Sequence, residues 1–164
     1  MGSHKETGRA GSGGGGASGR GRRQPPAAIL VVDDDPDFAL ATRLALERRG
    51  YRVSTAANPE EARRKVEEER PDLILLDIMM PTGTEGFHFV WALRHHPDAA
   101  LRETPIVVMS AIHRTTDLRL YPEEADQEYG PGEFLPVQAF LDKPVDLREL
   151  AHVIEAVLGA RPSP

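Results

Sequence analysis

The chain has 164 residues, of which 40% are hydrophobic and 28% charged, with no cysteine. This suits one ordinary soluble domain and excludes disulfides, thiolate zinc sites, iron–sulfur clusters and cysteine nucleophiles. The net charge of −6 is unevenly placed: residues 1–26 hold five basic residues (Lys5, Arg9, Arg20, Arg22, Arg23) against Glu6, leaving −10 on the remainder. So acidic a body is a poor match for nucleic-acid phosphates.

No apolar run is long enough to cross a bilayer, and the N-terminus lacks the apolar segment of a secretory signal. No membrane partner and a cytoplasmic location are therefore expected. Residues 1–26 carry nine of the fifteen glycines and almost no aliphatic bulk. Such a segment cannot offset its own ordering entropy, and disorder is expected there.

From Ala27 short apolar runs alternate with amphipathic segments. Ala28–Val32 reads as a buried strand. Asp35-Pro36 is an N-cap followed by proline at the first helical position, predicting a helix to Arg49 with Gly50 as its stop. Tyr51–Thr55 is a second strand. Asn58-Pro59-Glu60-Glu61 repeats the start signal as a capping box, and the helix to about Arg70 has only Ala62 and Val66 as apolar anchors. Leu73–Leu76 is a third strand ending at Asp77. Glu85–Arg94 is a third helix, with Phe87, Val90, Trp91 and Arg94 at helical spacing; Phe87 and Trp91 are expected in the core. Pro105–Met109 is a fourth strand. Residues 112–136 are interrupted by Pro122, Gly130, Pro131, Gly132 and Pro136 and read as irregular. Val137–Leu141 is a fifth strand, and Asp146 caps a last helix carrying Leu147, Leu150, Ile154 and Val157.

Five buried strands alternating with helices imply an α/β three-layer sandwich around a parallel sheet. Working residues in such sheets gather at the C-terminal strand ends. Those ends carry Asp33 and Asp34, Asp77, Ser110 and Lys143. Two unit charges ~4 Å apart cost about 4 kcal/mol at an effective dielectric of ~20. Three carboxylates against one lysine therefore call for a further cation, and oxygen-only ligands point to Mg²⁺ or Mn²⁺. Such an ion takes its remaining ligands from water and a substrate phosphate, which directs the reading to phosphoryl chemistry. Asp77 is the natural nucleophile, Asp34 a direct ligand, and Asp33 a ligand directly or through water. Ser110 and Lys143 would contact phosphoryl oxygens.

Ile29–Pro36 (ILVVDDDP), Pro71–Pro81 (PDLILLDIMMP), Pro105–Ala111 (PIVVMSA) and Phe140–Pro144 (FLDKP) together resemble the signature segments of response-regulator receiver domains of two-component signalling. The resemblance covers residues 27–160, with 161–164 as a short tail. It implies a flavodoxin-like fold with strand order 2-1-3-4-5. It also implies phosphorylation on Asp77 by a sensor histidine kinase or phosphotransfer protein, so that the chain is a signalling module rather than an enzyme. By the same resemblance Asp33, Asp34, Asp77 and the Met79 carbonyl bind the metal, Ser110 and Phe140 form the switch, and the Lys143–Pro144 bond is cis. Met79 and Ile112, apolar at positions bordering the path of the hydrolytic water, imply slow loss of the phosphoryl group.

Two features depart from the family pattern. Gly86 stands one residue later than usual after Pro81. The distance from Ser110 to Lys143 is some ten residues longer than usual, across the segment where the family has a helix that reads out phosphorylation. Here only Pro122–Tyr129 offers a helix start, so dimerisation through that face is expected to be weak or absent. Two alternatives stand beside this reading. One is a receiver-like interaction module that takes no phosphate. The other is a haloacid-dehalogenase-type phosphatase with Asp33 as nucleophile and Asp35 as general acid. After the last helix only Gly159–Pro164 remain, which points either to a stand-alone receiver acting on an unknown downstream protein or to an excised piece.

Overall fold

A computed structural model describes residues 26–80, 84–111 and 136–159. The Gly- and Arg-rich tail up to Gln24 and Pro25, residues 112–135 with Ile112 and the Pro122–Tyr129 segment, and the short C-terminal tail lie outside the described residues. The strands are β1 (Ala28–Val32), β2 (Arg52–Ala56), β3 (Leu73–Asp77), β4 (Ile106–Ser110) and β5 (Ala139–Asp142). All pair in parallel in the order β2-β1-β3-β4-β5, the flavodoxin-like topology expected. The helices are α1 (Pro36–Glu47), α2 (Pro59–Glu69), α3 (Glu85–Arg94), α4 (Ala99–Arg102) and α5 (Leu147–Gly159). None is long and apolar enough to cross a membrane.

Strand side chains alternate between two cores because successive residues point to opposite faces of a sheet. Leu30, Val32, Ile74, Leu76, Ile106 and Val108 pack with residues of α2, α3 and α4 on one face. Ile29, Val31, Leu73, Leu75, Val107 and Met109 pack with residues of α1 and α5 on the other. Burial on both faces is why these strands read as continuous apolar runs. Each fully buried aliphatic side chain contributes about 1.5–3 kcal/mol relative to exposure.

The caps act where the sequence places them. Asp35 accepts from the amides of Asp37 and Phe38, Asn58 from Glu61, and Asp146 from Arg148 and Glu149. The Glu61 carboxylate returns to the Ala57 amide. The chain leaves α1 through Gly50 at φ 93°, a left-handed conformation that glycine adopts without a Cβ penalty. The Tyr51 amide bonds back to the Leu46 carbonyl at 3.3 Å. Tyr51 thus belongs to the turn, and β2 starts one residue later than expected.

The buried face of α3 differs from the expected one. Its inward residues are Gly86, Phe89, Val90 and Leu93, one position back from the predicted stripe. The cause lies at Gly86: a Cβ there would sit 2.7 Å from the Cα and carbonyl oxygen of Ile78. The backbone approach that glycine permits sets the helix rotation. Trp91 is consequently 43% exposed, leaning on the His95 ring at 5.9 Å, and is not a core residue. Phe87 is half-buried against the core beneath α2 and α3.

Candidate functional site

The strand registers assemble the acidic ends. Val32 pairs with Leu76, so Asp33, the next residue, emerges beside Asp77 at the end of β3. Asp77 pairs with Met109, which puts Ser110 one step beyond, and Ser110 pairs with Asp142, the residue before Lys143. The Lys143 amide bonds the Ser110 carbonyl at 2.9 Å, and the Lys143–Pro144 bond is cis. Asp33, Asp77 and Ser110 are buried, while Asp34 is exposed.

Ligand oxygens of Asp33, Asp34 and Asp77 all lie within 4.8 Å of one another. The Lys143 ammonium donates to Asp33 Oδ2 at 2.6 Å and to Asp77 Oδ2 at 3.1 Å. The remaining oxygens are also engaged: Asp33 Oδ1 accepts from the Asp35 amide and Asp77 Oδ1 from the Met79 amide, both at 2.9 Å. Both carboxylates are therefore fixed in orientation before any ligand arrives.

Burial pushes the Asp33 carboxyl above the usual aspartate range, against the pull of the Lys143 hydrogen bond, the Asp35 amide and the lysine charge, and the nearby Asp77 charge adds to the rise. Burial draws the Lys143 ammonium down, but the hydrogen bond to Asp33 and the charges of Asp77 and Asp33 outweigh it and hold it above an ordinary lysine. This is an anionic pocket short of positive charge.

The donor set fits a hard divalent cation. It is all oxygen, contains no histidine among the described residues, and keeps an excess of negative charge after Lys143 is counted. Asp33, Asp34 and Asp77 are the residues that could hold such an ion.

Other predicted residues sit nearby in different roles. Met79 places its amide on Asp77 while its side chain is 39% exposed. Phe140 is half-buried, packed against the core beneath α2 and α3. Asp35 is committed as the cap of α1, accepting two backbone amides. That leaves it poorly placed as the general acid of the phosphatase alternative. Two contacts escaped the sequence reading. The Phe38 ring lies 4.2 Å beneath the Lys143 ammonium, a cation–π contact. Its signal in sequence was only an aromatic residue in the first turn after the acidic pair. The second belongs to Arg94, which stood at helical spacing in α3 but whose carbonyl partners in other elements no sequence pattern indicated.

Comparison with known proteins agrees with this geometry. The family model described as "response regulator receiver domain" matches residues 29–128. The transcriptional regulatory protein AfsQ1 of Streptomyces coelicolor is 33% identical over 124 residues, covering 76% of this chain and 48% of that protein. The chain thus spans about half the length of this and several similar relatives. Protein PilH of Pseudomonas aeruginosa is 33% identical over 114 residues, covering 70% of this chain and 83% of PilH. The high-resolution structure of the chemotaxis response regulator CheY4 of Vibrio cholerae superposes with a TM-score of 0.64 at 29% identity, covering 80% of this chain and 98% of the chain in that structure.

Proposed function

Because this chain belongs to the response-regulator receiver family of two-component systems, we propose that it accepts a phosphoryl group on Asp77 from a phosphohistidine of a sensor kinase or phosphotransfer protein. The observation that supports this most is the buried Asp77 carboxylate, fixed by the Met79 amide and Lys143 within ligand distance of Asp33 and Asp34.

In this reading an Asp77 carboxylate oxygen attacks phosphorus. The P–N bond to the donor imidazole breaks as the O–P bond forms, and the leaving nitrogen keeps the electron pair and is protonated. Asp77 becomes an acyl phosphate. Asp33 and Asp34, with Asp77 and the Met79 carbonyl, would hold Mg²⁺ or Mn²⁺. When bound, the ion supplies positive charge to the carboxylates and to the incoming phosphoryl oxygens. Lys143 presents its ammonium from the β5 side, already in contact with both buried carboxylates. Ser110, at the end of β4, would donate its hydroxyl to a phosphoryl oxygen. The surroundings contribute mainly fixed positioning and charge.

The output would be a population shift. Movement of Ser110 toward the phosphoryl group changes the space available to Phe140 on the adjoining strand, and phosphorylation counts only as far as it favours one arrangement. The apolar side chain of Met79 next to the acceptor supports slow hydrolysis of the product.

Intact-mass analysis with acetyl phosphate and Mg²⁺ tests the reading. The parent should gain one phosphoryl group, Asp77→Asn none, and Asp33→Asn should gain it far more slowly. Rapid phosphate release that depends on Asp33 but not on Asp77 would favour the phosphatase alternative.

A further inference from the structure

At the opposite end of the sheet, half-buried Arg94 closes α3 with its guanidinium against neighbouring elements. Its guanidinium donates from Nε to the Pro136 carbonyl at 2.8 Å and from Nη1 to the carbonyls of Arg102 and Thr104, both at 2.7 Å. Nη2 reaches Gln138 Oε1 at 3.3 Å. No carboxylate pairs with Arg94 among the described residues; its described partners are three backbone carbonyls and one amide side chain. Gln138 completes the junction, accepting the Ile106 backbone amide on Oε1 at 2.7 Å while its backbone N–H donates to the Ile106 carbonyl at 2.9 Å.

Arg94 thus ties the end of α3 to three other stretches: the exit of α4, the residues leading into β4 and the residues leading into β5. The last is the one most in need of an anchor. Among the described residues β5 is an edge strand bonded only to β4, with four register pairs. It is also reached through the long connection 111–138, whose closure entropy grows with length. Leu141 and Phe140 pack into the two cores and favour one register, but a four-residue strand with a single partner has few backbone hydrogen bonds to hold it, and a contact at its start adds to them. A slip of one residue would carry Lys143 about 3.3 Å along the sheet and turn its side chain to the other face. Its contacts with Asp33 and Asp77 could not survive that displacement.

We propose that Arg94, together with Gln138, is a positioning residue for the phosphoryl site, locking the register of β5 at its beginning and so fixing where Lys143 arrives at its end. The consequence for phosphorylation rests on the function proposed above, whereas the register lock itself does not. The lock also accounts for how a connection of unusual length can join β4 to β5 with the pocket intact.

The test uses the full chain as Arg94→Met, Arg94→Lys and Gln138→Ala, the last a milder variant at an exposed position that carries the test if Arg94→Met does not fold. Amide hydrogen exchange is followed at Lys143 in β5's exit and at Leu30 and Leu75 in the sheet centre, alongside acetyl phosphate labelling. With Arg94→Met, exchange at Lys143 should rise about tenfold more than at Leu30 or Leu75, the scale of losing one charge-assisted hydrogen bond. Labelling should slow by roughly fivefold or more, as expected when a catalytic group is misplaced. Arg94→Lys should restore part of both, and Gln138→Ala should move both in the same direction by less. Unchanged exchange at Lys143, or an equal rise at every amide, would overturn the lock. Faster β5 exchange with undiminished labelling would overturn its link to the site. A parent that takes no label at all would contradict the proposed function, leaving the exchange result to decide the lock alone.

Discussion

Replacing Lys143 by methionine removes the one ammonium that, among the described residues, touches the buried carboxylates, while keeping most of the apolar stem. In the metal-free protein Asp33, with no exposed side-chain surface, and Asp77, at 8%, then lose contacts of 2.6 and 3.1 Å to a positive charge. Leaving a buried charge without its partner costs about 3–5 kcal/mol. The protein has a cheaper escape, which is to protonate Asp33. For an aspartate with an ordinary pKa of about 3.9, that costs about 4 kcal/mol near pH 7 and about 1.5 kcal/mol near pH 5. Burial already favours the protonated form, which lowers both figures. Lys143→Met should therefore be less stable than the parent by about 2–4 kcal/mol near pH 7. The sign with pH follows from linkage. Without Lys143 the folded-state pKa of Asp33 lies further above its unfolded value, the native state binds more protons, and stability falls as pH rises between the two values. The gap to the parent should thus be small near pH 5 and wide near pH 7. Urea unfolding in EDTA at both pH values measures it, and millimolar Mg²⁺ should narrow it at the higher pH. Equal stability of variant and parent near pH 7 in EDTA, or a gap indifferent to both pH and Mg²⁺, would refute the charge argument.

Gly86→Ala should destabilise by roughly 1–3 kcal/mol in urea unfolding, since its Cβ meets the Ile78 backbone rather than a side chain that could move. Phe38→Leu removes the ring beneath the Lys143 ammonium. Labelling of Asp77 should slow about two- to fivefold, the scale of a cation–π contact, and the upfield ring-current shift of the Lys143 side-chain protons should disappear. Asn58→Ala should cost about 1 kcal/mol as the loss of an N-cap. Its neighbour Glu61 is held below the usual glutamate range, first by the Ala57 amide and then by Lys65, against partial burial. The stabilisation from Glu61 is present above the unfolded carboxyl pKa and lost as pH falls through the folded one, so Glu61→Gln should differ most from the parent above that window.

The strands were legible because burial on both faces leaves continuous apolar runs, and the starts of α1, α2 and α5 because their caps need Asp or Asn at one position. Asp33, Asp34, Asp77 and Lys143 were legible for a related reason: once a parallel sheet is inferred, whatever follows each strand must meet at one edge. What escaped depended on distances between elements. The rotation of α3, and with it the exposure of Trp91, follows from how closely Gly86 approaches Ile78, which helical periodicity does not encode. β5 begins at Ala139 rather than Val137, beside a junction where the Gln138 side chain accepts the Ile106 amide. α4 is a four-residue turn of helix capped by Asp98, too short to show a period. Phe38 and Arg94 act across the fold, on groups far away in sequence, and although Arg94 stood in the helical stripe of α3, no local pattern shows what either one touches.

The central claim is that one carboxylate in this pocket, that of Asp77, becomes the acyl phosphate. Borohydride reduction after incubation with a phosphohistidine donor and Mg²⁺, followed by peptide mass spectrometry, locates the modified residue. Residue 77 should be converted to the reduced homoserine form, dependent on Mg²⁺ and absent without donor. Conversion at residue 33 or 34 instead, or none at any residue under saturating donor, would contradict it.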